Sequence, residues 1–212
     1  MAAPKDSDKA PDAHRELPSK ETVQKAGEHM IKDETGNEIA FKTLYADKPA
    51  DERQLIVFVR HFFCGSCELY TQALARDLPL DKLAAAKTTL TIIGCGEPVC
   101  IEDWRKRTGC PYKIYADPKR QLYSTLDMLA GFKAMPDEMP EYHSKSLFGV
   151  IKTSTWNALT SGPKKMLSGG PAYQQGGDWL FQNGEVKWVH RMRNSADHAE
   201  TSELKEVLGV VA

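Results

Sequence analysis

The sequence has no apolar run approaching the ~18 residues that a bilayer-crossing helix requires, which excludes a helical membrane span. Net charge is almost nil. Lys plus Arg number 28 against 29 Asp plus Glu, so no overall field draws the protein to nucleic acid or anionic lipid. The N-terminal stretch MAAPKDSDKAPDAHRELPSKE is charged but has no apolar h-region, and it reads as no secretory signal. No internal repeat is present. Cysteine is sparse and odd in number: Cys64, Cys67, Cys95, Cys100 and Cys110. A secreted disulfide framework favours short chains and even counts. The expectation is therefore a soluble cytoplasmic protein whose thiols are packing residues, metal ligands or redox groups.

What is present is an alternation of strand and helix signals. Residues 1 to about 20, rich in Pro, Ala and charge without periodicity, read as a disordered tail. HMIKDETGNEIAFKTLYAD reads as two short strands around Thr35-Gly36-Asn37. RQLIVFVR (53–60) is continuously apolar and suits a strand buried on both faces of a parallel sheet. From Cys64 the period changes: Cys67, Tyr70, Leu74 and Leu78 recur at helical spacing until Pro79. TTLTIIG (88–94) is a second buried strand, Ile101 to Thr108 a helix closed by Gly109, and PYKIYADP a third strand leading into a helix through Leu122, Tyr123 and Leu126.

Residues 130–176 break this rhythm and read as an insertion in a domain running from 21 to 212, with one helix near Ser154 to Leu159. Trp156, Tyr142 and Tyr173 within it suit either a roof over an apolar substrate or a homodimer contact. DWLFQNGEVKWVHRMR is a hairpin turning at Asn183-Gly184. DHAETSELKEVLGV is a terminal helix with Asp197 as the expected N-cap.

The chemistry concentrates in Arg60-His61-Phe62-Phe63-Cys64-Gly65-Ser66-Cys67, where a buried strand gives way to a helix. A thiolate is the reactive form of cysteine. The first turn of a helix offers unpaired N–H groups and partial positive charge that stabilise it. A three-residue spacing puts both sulfurs on one helical face, within reach of a disulfide. Arg60 and His61 stand just upstream as sources of positive charge. Two other readings stay open: small core residues, or a zinc site completed by the Cys95–Cys100 pair, although no His accompanies either pair. Cys95 ends the neighbouring strand on the same sheet edge, where it is either an additional resolving thiol or an inert one; Cys100 has the same two roles open to it. Cys110 reads as structural. Arg191 and Arg193 alternate with His190 and Met192, so the expectation is that both arginines share one face, either binding an anion or paired in salt bridges.

The segments VRHFFCGSC, IIGCGE, ADPKRQLYSTLDM and QQGGDWLFQNGEVKWVHRMRNSADHAE stand in one order through most of residues 30–208. In them the chain resembles the peroxiredoxin-like alkyl hydroperoxide reductase/thiol-specific antioxidant (AhpC/TSA) family, in the branch that includes prostamide/prostaglandin F synthase. The resemblance implies an α/β, thioredoxin-like mixed sheet flanked by helices, with Cys64 and Cys67 as redox pair. It implies reduction of a peroxide, endoperoxide or disulfide, with no bound cofactor or metal and an external thiol donor such as thioredoxin or glutathione. Gly176 and Gly177 fall where thioredoxin carries a cis-proline facing its sulfurs, and glycines there are expected to open space against the sulfurs; Gln175 beside them is expected to support the site or bind substrate. The sequence departs from typical peroxiredoxins, which place Pro and Thr seven and three residues before the reactive Cys. Counted from Cys67, this chain has Arg60 and Cys64 there. Thioredoxin precedent makes Cys64 the attacking sulfur, peroxiredoxin alignment Cys67. Two other functions remain open: an enzyme of specialised metabolism acting on one organic substrate, and a non-enzymatic redox-sensing module.

Overall fold

The computed structural model describes residues 13–128, 131, 140–142 and 167–210. The helix expected near residue 154, Trp156, and the tail up to residue 12 lie outside the described residues. In chain order the elements are α1 (Lys20–Gly27), β1 (Met30–Lys32), β2 (Glu38–Ala40), β3 (Arg53–Val59), α2 (Gly65–Asp77), α3 (Leu80–Ala85), β4 (Thr88–Gly94), α4 (Ile101–Thr108), β5 (Lys113–Ala116), α5 (Gln121–Thr125), β6 (Gly177–Gln182), β7 (Glu185–Arg191) and α6 (Thr201–Leu208).

Seven strands form one mixed sheet in the order β2-β1-β5-β4-β3-β6-β7. The apolar strand β3 lies inside it, parallel to β4 and antiparallel to β6. β4 and β5 are also parallel, so β3, β4 and β5 all finish on one edge.

Alternation along β3 divides the core into two layers. Leu55, Val57 and Val59 pack in one cluster with Tyr70 and Leu74 of α2, Trp104 of α4, and Leu204 and Leu208 of α6. Ile56 and Phe58 join the other cluster with Phe41, Tyr45, Tyr123, Trp179 and Phe181. A strand covered on both faces has no solvent side, which is why its sequence is apolar throughout.

Local signals are obeyed at the turns. Asn183 and Gly184 both take positive φ, 52° and 73°, as a two-residue hairpin loop requires. Gly109 closes α4 in the left-handed region at φ 65°.

Two expectations are corrected. The unstructured tail does not extend to residue 20: Arg15 pairs bidentately with Glu203, at 2.5 and 2.9 Å. The Arg191 Nη1 donates to the Glu16 carbonyl at 2.6 Å, and Ser19 caps α1 by accepting from the Thr22 N–H. Contacts more than 170 residues away in the chain order this segment, and no local pattern reveals them. The N-cap of the last helix is Glu200, not Asp197. Asp197 instead accepts from the Arg193 N–H and guanidinium at 2.7 to 2.9 Å.

Candidate active site

The end of β3 and the start of α2 bring the two cysteines together. Cys64 is the N-cap of α2, and its sulfur accepts from the Cys67 N–H at 3.4 Å, a place usually filled by a side-chain oxygen. Cys67 sits one turn in, and its sulfur accepts from the Arg60 N–H at 3.4 Å. The sulfurs are almost sealed: Cys64 is 3% exposed and Cys67 0%.

Arg60 faces the sulfurs. Its Nη1 donates to the Cys64 sulfur at 3.4 Å, its Nε to the Gln174 carbonyl at 3.0 Å, and its Nη2 to the Ala172 carbonyl. One buried guanidinium thus joins the redox pair to the strap of residues 167–176. The strap is held further by the Phe62 N–H on the Gly169 carbonyl at 2.9 Å and the Glu97 N–H on the Ser168 carbonyl at 2.7 Å. From the other side Arg107 donates to Glu68 (2.8 Å) and to the Phe62 carbonyl (2.6 Å). Arg107 and Glu68 were not singled out in the sequence because 39 residues separate them.

The two sulfurs are electrostatically unlike. A hydrogen bond from the Cys67 thiol holds Cys64 well below the ordinary thiol range; burial opposes this and the Arg60 charge adds to it. Burial pushes Cys67 well up, and its bond to Cys64 and the Cys64 charge push it further. The pair therefore shares one proton, placed on Cys67. His61 does not supply the second standing charge expected of it. Burial pushes its imidazole down to about 4, with the Cys64 charge opposing and Arg60 adding, so it is neutral at pH 7.

The other expected residues fall into place differently. Cys95 does lie at the end of the strand beside β3, and its thiol donates to the Arg60 carbonyl at 2.8 Å. Burial raises it to about 12, which leaves it a protonated thiol supporting the Arg60 turn. Cys100 and Cys110 are buried. Among the described residues no group of three or more His, Cys, Asp or Glu side chains is placed to hold a metal ion. Arg191 is turned inward: its Nε donates to the Leu126 carbonyl at 2.9 Å and its guanidinium lies 4.8 Å from the Trp179 ring centre. It does not share a face with Arg193, because β7 ends at Arg191 and the strand alternation stops there.

Gly176 and Gly177 do not open space against the sulfurs. A Cβ on Gly176 would lie 1.9 Å from the Phe58 carbonyl oxygen, and one on Gly177 2.7 Å from that of His190. The glycines let the strap enter the sheet against backbone. Gly176→Ala is accordingly expected to destabilise the fold by at least ~3 kcal/mol, since the clash is with backbone of a central strand; urea unfolding measures it. Gln175 is buried, with its Nε2 on the Gly131 carbonyl at 2.9 Å and its Oε1 unpartnered.

Of the aromatic residues expected to form a roof, Tyr142 is buried against Tyr70. Tyr173 is exposed beneath Arg120 and lines a cavity of about 500 Å³ at the ends of β4 and β5. Cys95, Glu97, Ser168 and Arg120 line the same cavity, which thus opens directly beside the turn carrying Arg60.

A buried dithiol at the strand-to-helix junction of this mixed sheet, with helices on both faces, defines a thioredoxin-like domain of the peroxiredoxin type. A peroxiredoxin-like protein from Aquifex aeolicus superposes with a TM-score of 0.56 at 12% identity, over 87% of this chain and 84% of that one. Peroxiredoxin Q of Xanthomonas campestris gives 0.53 at 13%, over 93% and 97%. The profile of the AhpC/TSA antioxidant enzyme family matches residues 73–194. Mouse Peroxiredoxin-like 2C is 35% identical over 182 residues, 85% of this chain and 77% of that protein. The chain belongs to the AhpC/TSA antioxidant enzyme family. The family profile itself begins beyond Cys67, at residue 73.

Proposed function

We propose that the protein is a thiol-dependent oxidoreductase that reduces hydroperoxides, organic ones foremost, through a Cys64–Cys67 dithiol/disulfide cycle. The observation that carries this reading is the asymmetry of the pair: an Arg60-bound thiolate at Cys64 and a protonated, buried thiol at Cys67. Cys64 attacks the peroxide, the O–O bond breaks, and the alkoxide leaves with a proton as alcohol. The resulting sulfenic acid at Cys64 is displaced by the Cys67 sulfur, releasing water and closing the disulfide. An external dithiol of the thioredoxin type, or glutathione, returns two electrons. Five buried cysteines in the thiol form suit a reducing compartment such as the cytoplasm.

The preference for organic hydroperoxides is supported by the 500 Å³ cavity beside Cys95, large enough for a short organic chain and carrying the Arg120 cation. The test is stoichiometric oxidation of the reduced protein by hydrogen peroxide, cumene hydroperoxide and a carboxylate-bearing hydroperoxide, followed by mass spectrometry of the cysteine peptides. Loss of two thiols as a Cys64–Cys67 disulfide is expected, fastest with the organic substrates. Retention of both thiols under all three oxidants would end the reading.

A further inference from the structure

Arg60 is a buried cation, 8% exposed, with a single counter-charge among the described residues. Its guanidinium donates to the Cys64 sulfur through Nη1, to the Gln174 carbonyl through Nε and to the Ala172 carbonyl through Nη2. Of these three acceptors only the sulfur can carry a full negative charge. The buried carboxylates of the described residues are engaged elsewhere. Glu68 pairs with Arg107 at 2.8 Å, and Asp117 accepts from the Gln121 and Leu122 N–H groups. Asp178 accepts from the Tyr70 hydroxyl at 3.1 Å and stands 3.2 Å from His198 Nδ1. No Asp or Glu among the described residues forms an ion pair with Arg60.

The same guanidinium fastens one end of the strap. The other end is held by backbone, through the Phe62 N–H on the Gly169 carbonyl and the Glu97 N–H on the Ser168 carbonyl. A Cβ on Gly169 would meet the Phe63 ring and one on Gly170 the Cys95 sulfur, so this end lies flat on the active-site turn. Further along, the Gly131 N–H donates to the Tyr173 carbonyl at 2.7 Å and Arg120 to the Tyr173 hydroxyl at 3.3 Å. Among the described residues only the Arg60 contacts tie the stretch 172–174 to the sulfurs.

Oxidation removes the counter-charge. The Cys64 thiolate and the Cys67 thiol give two electrons to the hydroperoxide. With the Cys67 proton and one from water, the products leave as alcohol and water, and both sulfurs end neutral in one S–S bond. Closure asks for no unwinding of α2, since the sulfurs stand one turn apart and Cys64 already accepts the Cys67 N–H. Arg60 is then a buried charge without a partner, a strongly destabilising state that hydration relieves. We propose that the strap is a redox-operated latch. Held shut over the reduced pair by the contacts of Arg60 with Cys64, Ala172 and Gln174, it loosens at residues 172–174 when the disulfide closes. Water then reaches Arg60, and the external thiol donor reaches the sulfurs. A donor sulfur has to come into line with the S–S bond, and at 3% and 0% exposure the shut strap leaves it no path. The donor dithiol gives two electrons and leaves as its own disulfide, a proton returns to Cys67, the Cys64 charge is restored and the strap shuts.

This assignment rests on the dithiol cycle above, and one experiment separates the two. Hydrogen exchange read by mass spectrometry follows peptides spanning residues 167–176 in four samples. They are reduced wild type, wild type oxidised by one equivalent of cumene hydroperoxide, reduced Cys64→Ser, and Arg60→Met. Strap exchange is expected to be at least ~10-fold faster in the disulfide form than in the reduced form, while the Asn183-Gly184 hairpin exchanges alike in both. Reduced Cys64→Ser, which sets a neutral hydroxyl before Arg60, is expected to exchange fast with no disulfide present. Arg60→Met is expected to be fast whether reduced or oxidised. Equal strap exchange in reduced wild type, the disulfide form and Cys64→Ser overturns the latch and leaves the cycle intact. Failure of the wild type to form a Cys64–Cys67 disulfide overturns the cycle, and slow exchange in Cys64→Ser then overturns the latch as well. If Cys64→Ser does not fold, the reduced and disulfide forms of the wild type decide alone.

Discussion

Cys64→Ser is expected to abolish hydroperoxide turnover by at least ~10³-fold, the scale on which loss of an attacking group is felt. Cys67→Ser is expected to consume one equivalent and stop. The difference follows from where the single proton resides. The Cys64 sulfur accepts from the Arg60 Nη1 and the Cys67 N–H, both at 3.4 Å, so its anion has partners already in place. The Cys67 sulfur accepts from the Arg60 N–H, keeps its own proton shared toward Cys64, and lies deeper. Without Cys67 the first electron transfer survives but the sulfenic acid has no neighbour to displace it. Dimedone labelling of Cys64 in Cys67→Ser, and its absence in Cys64→Ser, is the readout. The reverse pattern would make Cys67 the nucleophile.

The second large effect is expected at Arg60. Arg60→Met removes the buried cation on Cys64 and at the same time the donors to the Ala172 and Gln174 carbonyls. These losses act in opposite directions. Removing an opposite charge close to an acid raises its pKa, so at a given pH less of Cys64 is thiolate. Loosening the strap exposes the sulfur. Alkylation by iodoacetamide separates the two: at acid pH Arg60→Met should react more slowly than wild type, and in alkali strong enough to ionise the thiol in both proteins it should react faster. The sign is fixed by the direction of the Cys64 shift, which is downward in the folded protein. A variant that reacts at the wild-type rate across the whole range would mean that Arg60 neither stabilises the anion nor holds the strap.

The distribution of legible and illegible features follows from the range of the interactions. β3, β4, the Asn183-Gly184 hairpin and the Gly109 stop are written in neighbouring residues, because strand burial, turn geometry and helix termination depend on side chains a few positions apart. The cysteine pair belongs with them, since its reach is set by helical spacing alone. The helix α1 was not anticipated: only Ala26 and Gly27 of it are buried, so it has almost no apolar stripe to read, and its start is marked by the single Ser19 cap. Asp178 was passed over for a related reason. It stands in GGDWLF as one carboxylate in a buried strand, and the alternation with Leu180 was the signal that places it in the core.

The sequence by itself determined the order of the strands, of the helices other than α1 and α3, and the place of the dithiol, because these depend on periodicity and local backbone preference. Only the tertiary structure decided which sulfur carries the charge, that Arg191 is a brace, and that Gly176 admits backbone. Arg60 meets Ala172 across 112 residues and Tyr70 meets Asp178 across 108. Burial and charge at such contacts are properties of the packed core, formed when the sheet brings distant segments into one low-dielectric space.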